Sequence, residues 1–234
     1  MTTRSQRTSY RDIRDEIARR IGDQVWKPGS LIPGEEALTV EFGAARATVN
    51  RALQELARAG LIERKRKVGT RVSLNPVREA RFIIPLVSQE IEASGMTYAY
   101  RLLSRAERRA SRADTLRLEV EPGSVILHVK CLHLADGEPY QFEDRLINAA
   151  AAPLALDEPF QAIGPNEWLV ASAPFSRGEF SFLADRPSSE EADCLKIKTD
   201  APVFVGERRT WLLARPITFV RMVHPQSHRM TSTL

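Results

Sequence analysis

Near the amino terminus, apolar residues recur every three or four positions, which is the spacing of one face of an α-helix. The first such stripe is formed by Tyr10, Ile13, Ile17 and Ile21. Ser9 stands where a helix N-cap is expected, and Asp12 in the first turn would face the positive end of the helix dipole. The pattern predicts a first helix that begins after Ser9 and stops at the turn of residues 26–29.

Two further helices and a β-hairpin are predicted before residue 74. A short second helix contains Leu38 and Phe42, and a third helix opens at Arg46 and ends at Gly60. The inner face of the third helix would consist of Val49, Ala52, Leu53 and Leu56. Two short strands should follow, at residues 61–64 and 69–73, around a basic tip at residues 65–67. Three short helices and a hairpin in this order predict a winged helix-turn-helix.

The outer face of the third helix carries the side-chain types that read DNA bases. Asn50, Arg51 and Gln54 lie there beside Ala47, and Asn or Gln pairs with adenine whereas Arg pairs with guanine. The start of such a helix also suits phosphate contacts, and a glycine in the wing lets the backbone approach the sugar-phosphate edge. The alternative is a solvated polar face beside a charged turn. We expect DNA contacts from Arg46, Thr48, Asn50, Arg51, Lys67, Gly69 and Thr70.

Beyond residue 74 the apolar pattern changes from helical spacing to alternation. Asn75-Pro76 breaks the chain, which predicts a first domain at 1–74, a linker at 75–84 and a second domain at 85–234. Strands are predicted at residues 101–106, 125–134, 139–147, 203–212 and 216–223, and helices at 88–94 and 188–195. Asp136-Gly137 should form the turn of a hairpin. The predicted fold class is α+β, with an antiparallel sheet flanked by helices in the second domain.

Composition excludes several classes of protein. Of 234 residues, 43% are hydrophobic and 27% charged, which suits two globular domains. No apolar run reaches the roughly 18 residues of a membrane span, and the first residues lack the apolar segment of a signal peptide. Cys131 and Cys194 are too far apart in sequence for a disulfide framework or a CxxC metal knuckle. We expect a cytoplasmic protein with no membrane partner.

The net charge of +4 is unevenly distributed. Residues 1–76 hold fifteen Lys or Arg and nine Asp or Glu, a net of +6, which leaves −2 for residues 77–234. A basic segment joined to a slightly acidic one indicates that the first segment alone meets a polyanion.

The stretch WKPGSLIPGEEALTVEFGAARATVNRALQELARAGLIERKRKVGTRV resembles the winged helix of the GntR family of bacterial regulators. By resemblance, Arg46, Thr48, Asn50, Arg51 and Gly69-Thr70 would touch DNA. Ala45 stands where the family usually has Ser, and Glu36 stands where an Arg often contacts DNA. The wing tip, residues 66–68, lacks a glycine often seen there.

The second domain resembles the effector-sensing UTRA domain, an antiparallel sheet related in fold to chorismate lyase. The segments LADGEPYQFEDRLIN and VGERRTWLLARPITFVRMVHP carry this resemblance, which runs over about residues 80–230. It points to the HutC subfamily, and within it to the histidine-utilisation repressors. The resemblance implies a homodimer on a palindromic operator associated with the bacterial nucleoid, an effector-binding and dimerisation role for residues 85–234, and urocanate as the inducer. No cofactor is expected.

Several side chains of the second domain suit a ligand that carries both a carboxylate and an imidazole. Gln141, Glu143 and Arg145 alternate onto one face of a strand, and His133 can approach them across the hairpin. By resemblance, His133, Glu143, Glu207 and His224 line the cavity, and Asn166 lies in a turn that the family shares. Arg145 or Arg209 would bind the carboxylate, and Glu143 would accept the ring N–H. The predicted effector residues are His133, Gln141, Glu143, Arg145, Asn166, Glu207, Arg209 and His224. The alternative is a cross-strand ion pair on a solvated face.

Other functions remain open at this point. The effector could be another small metabolite, such as a sugar phosphate or a different organic acid, although segment 85–88 offers a single hydroxyl for a phosphate. An activator role, a pure dimerisation domain and a lyase-like enzyme are further alternatives, but no nucleophile–base pair or cofactor loop supports an enzyme. No metal site is expected, because Pro225 separates His224 from His228 and no clustered Cys or carboxylate completes a site.

Overall fold

The computed structural model describes residues 9–65, 68–73 and 86–230, which form two compact units. The first unit consists mainly of residues up to 73, and the second mainly of residues from 86 onward. The predicted linker at 75–84 and Lys67 lie outside the described residues, so the predicted domain boundaries stay a prediction. Within the described ranges, no helix is both long enough and apolar enough to cross a bilayer.

The first unit has the predicted order of three helices and a hairpin. Helix α1 spans Tyr10–Gly22, α2 Glu35–Phe42 and α3 Arg46–Arg58, followed by strands β1 (Ile62–Lys65) and β2 (Gly69–Val72). The two strands pair antiparallel, and an isolated bridge joins Leu31 to Arg71. The apolar stripes of the three helices meet in one core, because the following side chains are all buried: Ile13, Ile17, Ile21, Leu38, Val49, Ala52, Leu53 and Leu56.

The ends of these helices follow local sequence signals. Ser9 caps α1 in a reciprocal capping box with Asp12, and Gly43 ends α2 in the left-handed conformation, with φ of 56°. Helix α3 begins at Ala45 without a side-chain cap, as the missing serine led us to expect.

The second unit contains a six-stranded sheet with the order β3-β4-β5-β8-β7-β6. Its strands are β3 (Tyr98–Arg109), β4 (Val125–Ala135), β5 (Glu138–Asn148), β6 (Arg177–Asp185), β7 (Val203–Leu212) and β8 (Arg215–His224). Its helices are α4 (Val87–Ala93), α5 (Arg112–Leu118), α6 (Pro165–Ser172) and α7 (Ser189–Leu195), with a 3-10 turn at Pro153–Leu156. The sheet and its helices confirm the predicted α+β class.

The two faces of this sheet differ in chemistry. Leu118 of α5 packs on Leu146, and Leu195 of α7 packs in the same cluster as Phe142 and Val223. These residues form the apolar core on one face. The residues of β5 that alternate with Phe142 and Leu146 point to the opposite face, which is where the polar side chains of the candidate site lie.

Four elements were missed or misread in the sequence, one of them the 3-10 turn at Pro153–Leu156. Helix α5 was not predicted, although Ser111 and Asp114 form a capping box at its start. Residues 165–166 were read as a turn, but they open α6, where proline suits the first helical position. Strand β6 was missed because it is a sheet edge whose side chains are largely exposed, so its apolar pattern is weak.

Candidate DNA-binding and effector-binding sites

The outer face of α3 presents the predicted DNA-reading side chains together. Arg46, Arg51 and Gln54 are exposed, and Thr48 and Asn50 are half-buried. A shallow groove runs along this face, lined by Arg46, Ala47, Asn50, Arg51, Gln54, Glu55 and Arg58. This surface carries hydrogen-bond donors for base edges and positive charge for phosphates.

Glu35, at the first position of α2, organises this surface. Its carboxylate accepts hydrogen bonds from Asn50 Nδ2 at 2.8 Å and from Arg46 Nε at 3.3 Å, and it also pairs with Arg64 of β1. The Glu35 carboxylate therefore links α3 to strand β1 of the wing hairpin. Glu35 stands in the stretch that resembles the GntR winged helix. Its contacts to residues 46, 50 and 64 could not be read from the sequence, because they arise from packing.

Arg51 is held by a second element of the unit. Its guanidinium lies over the Tyr10 ring, 3.9 Å from the ring centroid, which is a cation–π contact. Tyr10 therefore supports one of the predicted DNA-contacting side chains in addition to beginning the apolar stripe of α1.

The wing places Gly69 and Thr70 at the start of β2, opposite β1. Gly69 has φ of 102°, a conformation that favours glycine, and the backbone carbonyl of Thr70 accepts a hydrogen bond from Ile32 N at 2.9 Å. The roles of these residues in DNA contact stay predictions, as does that of Lys67.

A cavity lies on the polar face of the second unit's sheet. Its wall includes four predicted effector residues, Gln141, Glu143, Asn166 and His224. The other lining residues are Val87, Glu90, Phe180, Phe182, Phe204, Gly206, Arg208, Met222, His228 and Met230. Residues from α4, α6 and four strands thus converge on one narrow space, whose lining of apolar and aromatic side chains with a few polar groups has the composition of a small-molecule site.

Two charged residues, Glu143 and Arg208, line this cavity, whereas the predicted effector residue Arg145 is not part of its lining and reaches it only through Glu143. Glu143, Arg145 and Arg208 are at most 3% exposed. Arg145 Nε donates to Glu143 Oε1 at 2.6 Å, and Arg208 donates to the Asn166 side-chain oxygen. Burial and the charge of Arg145 lower the pKa of Arg208 to about 9, whereas Arg145 and His133 hold the pKa of Glu143 well below its usual range against the effect of burial. Two buried cations therefore lie near one buried carboxylate, to which Arg145 is hydrogen-bonded.

Four buried polar atoms around the cavity lack a hydrogen-bond partner among the described residues. They are Gln141 Nε2, Arg145 Nη2, Arg208 Nε and His224 Nδ1. Leaving such groups unpaired costs about 1–3 kcal/mol each, and more when they are charged. Three of the four are donors, so the cavity suits a molecule rich in acceptor oxygens.

His224 belongs to an aromatic cluster on the cavity wall. Its ring stacks on His228 with centroids 3.8 Å apart, and Tyr140 meets both rings edge-on. Burial, together with His228, lowers the pKa of His224 to about 3, so the ring is neutral near pH 7. A hydrogen bond with the Tyr140 backbone engages the ring, which leaves Nδ1 as an acceptor.

Glu207 and Arg209 do not join this group. Strand β7 directs Phe204, Gly206 and Arg208 to the cavity, so the odd-numbered residues point to the other face. There Glu207 pairs with Arg221 at 3.6 Å, and Arg209 Nη1 lies 3.6 Å from Glu179. Arg208, the preceding residue of β7, thus faces the cavity in the place predicted for Arg209.

His133 lies behind the cavity and is 3% exposed. Its Nε2 is 3.4 Å from Glu143 Oε2 and 3.7 Å from Cys131 Sγ, and the latter contact was not foreseen from the sequence. Cys131, His133 and Glu143 bring one ligand atom each within 4.8 Å of the others, a grouping apart from His224 and His228 that was not considered in the sequence, and the expectation of no metal site stays a prediction.

Comparison with known proteins identifies both units. The model of the bacterial regulatory proteins of the gntR family matches residues 9–72, and the UTRA domain model matches residues 93–229. The histidine utilization repressor of Pseudomonas putida is 34% identical over 222 residues, which cover 94% of this chain and 90% of that protein. Its counterpart from Klebsiella aerogenes is 33% identical over 218 residues, with coverage of 93% and 90%.

Solved structures agree with this assignment. The C-terminal domain of the histidine utilization repressor from Pseudomonas syringae pv. tomato is 30% identical, with a TM-score of 0.55, and the match covers 58% of this chain and 98% of that one. PhnF from Mycobacterium smegmatis shares the fold at 23% identity, with a TM-score of 0.56 and coverage of 94% and 97%. Regulators of this kind bind DNA operators and small-molecule effectors. The chain therefore belongs to the gntR family of bacterial regulatory proteins, in the branch that joins a winged helix to a UTRA domain, and is a GntR-type transcriptional repressor rather than an enzyme.

Proposed function

We propose that this repressor controls histidine-utilisation genes and that urocanate, a small acid with an imidazole ring, releases it from its operator. The observation that carries the proposal is the buried positive charge of Arg208, which lines the cavity with its Nε unpaired, together with that of buried Arg145 close to it. An anionic carboxylate would satisfy both the charge and the unpaired donor. The relatives named for histidine utilisation support the choice of ligand.

The remaining groups of the cavity suit the imidazole end of such a ligand. His224 is neutral, so its Nδ1 can accept a ring N–H, and Gln141 Nε2 can donate to a ring nitrogen. The rings of Phe180, Phe182 and Phe204 provide apolar walls for a flat molecule. A phosphate would meet the same arginines, but it would leave the aromatic and imidazole groups without a role.

On the DNA side, we propose that two copies of the chain read a palindrome with Arg46, Thr48, Asn50 and Arg51, assisted by the wing residues Lys67, Gly69 and Thr70. Release of the operator requires that urocanate bind the state with poor DNA affinity more tightly than the DNA-bound state. A ligand that binds both states equally would not change the occupancy of the operator.

Fluorescence anisotropy tests this proposal. The full chain is titrated onto labelled DNA from upstream of its own gene, with scrambled DNA as a control, and urocanate is then added at constant salt because salt alone changes DNA affinity. We expect specific binding and its loss at micromolar urocanate, with histidine as a matched ligand that leaves the complex intact. Specific binding that ignores urocanate but responds to another acid or a sugar phosphate would replace the effector. Failure to bind any upstream DNA specifically would contradict the operator assignment.

A further inference from the structure

We propose that Cys131, His133 and Glu143 form a binding site for a divalent metal ion of zinc type, in addition to the effector cavity. The sheet register brings these residues together. Cys131 and His133 are two positions apart on β4 and share a face, and Glu143 of β5 lies directly opposite Cys131. The three residues are at most 3% exposed, so they form a cluster in the interior of the domain rather than a chance grouping of acidic side chains on its surface.

Two of the three distances between ligand atoms suit tetrahedral coordination, and the third, from Cys131 Sγ to a Glu143 oxygen, is within 4.8 Å. Zinc bonds of about 2.0–2.2 Å to nitrogen and oxygen and about 2.3 Å to sulfur place the nitrogen about 3.4 Å from an oxygen ligand and about 3.6 Å from a sulfur ligand. His133 Nε2 is 3.4 Å from Glu143 Oε2 and 3.7 Å from Cys131 Sγ. The mixture of thiolate, imidazole and carboxylate also matches the preference of zinc over magnesium or calcium. Three protein ligands leave a fourth position for water or another small ligand.

Outer partners already orient two of the three ligands. The Tyr98 hydroxyl is 3.0 Å from His133 Nδ1, so the other ring nitrogen, Nε2, faces Cys131 and Glu143. Arg145 holds Glu143 through Oε1, which leaves Oε2 directed to His133. Such outer hydrogen bonds are a regular feature of metal sites, where they fix the orientation of histidine and carboxylate ligands.

Binding of a divalent metal ion would change the charge of this buried cluster. A free thiol is protonated near neutral pH, because its ordinary pKa is about 8.5, and a metal binds its thiolate form. Metal binding would form the sulfur–metal bond and release the thiol proton to solvent. The thiolate and the Glu143 carboxylate then neutralise the 2+ ion, and the positive charge of Arg145 and Arg208 remains. These arginines weaken metal affinity and favour an anion in the fourth position.

Cobalt titration tests the site, because Co²⁺ bound by a thiolate gives a charge-transfer absorption band. We expect one Co²⁺ per chain with this band, and its displacement by Zn²⁺. Cys131→Ala should abolish the band, whereas Cys194→Ala, which removes the other thiol, should retain it. Tyr98→Phe should weaken metal affinity about 10-fold by removing an outer partner. Circular dichroism of each variant separates loss of the site from loss of the fold.

Two results would overturn the proposal. One is the absence of stoichiometric metal binding by the folded, reduced protein. The other is binding that survives in folded Cys131→Ala but disappears in His224→Gln, which would move the metal to the stacked pair His224 and His228. Neither result affects the urocanate proposal, since the anisotropy assay can be run in the presence of a chelator.

Discussion

Arg208→Met should stabilise the effector-free protein and weaken its binding of urocanate. Arg208 is 3% exposed, and burial together with Arg145 lowers its pKa from 12.5 to about 9. At 1.4 kcal/mol per tenfold change in proton affinity, the fold disfavours the charged form by about 5 kcal/mol. Methionine fills a similar volume without charge, and replacing buried ionic groups by well-packed apolar ones is often stabilising by about 1–4 kcal/mol. We expect the free energy of unfolding to rise within that range.

The same substitution removes donors that a carboxylate would use. A hydrogen bond to a charged group contributes about 1.5–3 kcal/mol, which corresponds to a roughly 10- to 150-fold loss of urocanate affinity. Calorimetric titration with urocanate and urea denaturation of the effector-free protein measure the two effects. Arg209→Met is the matched control, because this neighbour lies on the other face of β7 and pairs with half-exposed Glu179. Exposed pairs contribute about 0–1 kcal/mol, so the control should change neither property much.

Arg208 does not bind the carboxylate if Arg208→Met binds urocanate as tightly as the unchanged protein, or if Arg209→Met is the variant that loses the ligand. A lower free energy of unfolding in Arg208→Met would mean that its contact with Asn166 outweighs the cost of burying the charge.

Three further predictions concern other parts of the chain. Glu35→Gln should lower the ratio of specific to non-specific DNA affinity by about 10-fold, because a misplaced Asn50 loses part of the roughly 1–3 kcal/mol of a base contact; an unchanged ratio in anisotropy would show that Glu35 does not position it. Ala45→Ser should add the missing cap of α3 and raise the free energy of unfolding by about 1 kcal/mol in urea denaturation, whereas Ala45→Val, which has no capping oxygen, should not. The folded-state pKa of His224 is lowered from 6.5 to about 3, so its contribution to stability is complete above pH 6.5 and is lost as the pH falls towards 3. His224→Gln should therefore lose less of its free energy of unfolding than the unchanged protein between pH 7 and pH 4. The groups around this ring that could also titrate are His228, Glu90 and Tyr140. Equal losses of stability in the two proteins would assign the pH effect to groups other than His224.

The winged helix was predictable from the sequence because its signals are local. A capping serine, a helical apolar stripe and a closing glycine each act within a few residues, so the stripe from Tyr10 to Ile21 and the break at Gly43 gave the helices directly. The Asp136-Gly137 turn likewise fixed the hairpin of β4 and β5, since both residues take a positive φ. Helix α5 was missed although its capping box is a local signal of the same kind as the one that begins the equally short α7, which was predicted.

Only part of the candidate effector site could be predicted from the sequence. Alternation along β5 correctly placed Gln141, Glu143 and Arg145 on one face, since successive side chains of a strand point to opposite sides. The same rule could not decide between Arg208 and Arg209, because both faces of β7 carry polar residues and the sequence does not say which face a helix covers. The packing of α5 and α7 on the other face of the sheet decided it. The register of β4 against β5 brought Cys131, His133 and Glu143 together. The packing of α2 against α3 produced the hydrogen bonds between Glu35 and α3. Local chemistry thus determined which elements form, and long-range packing determined which side chains share a site.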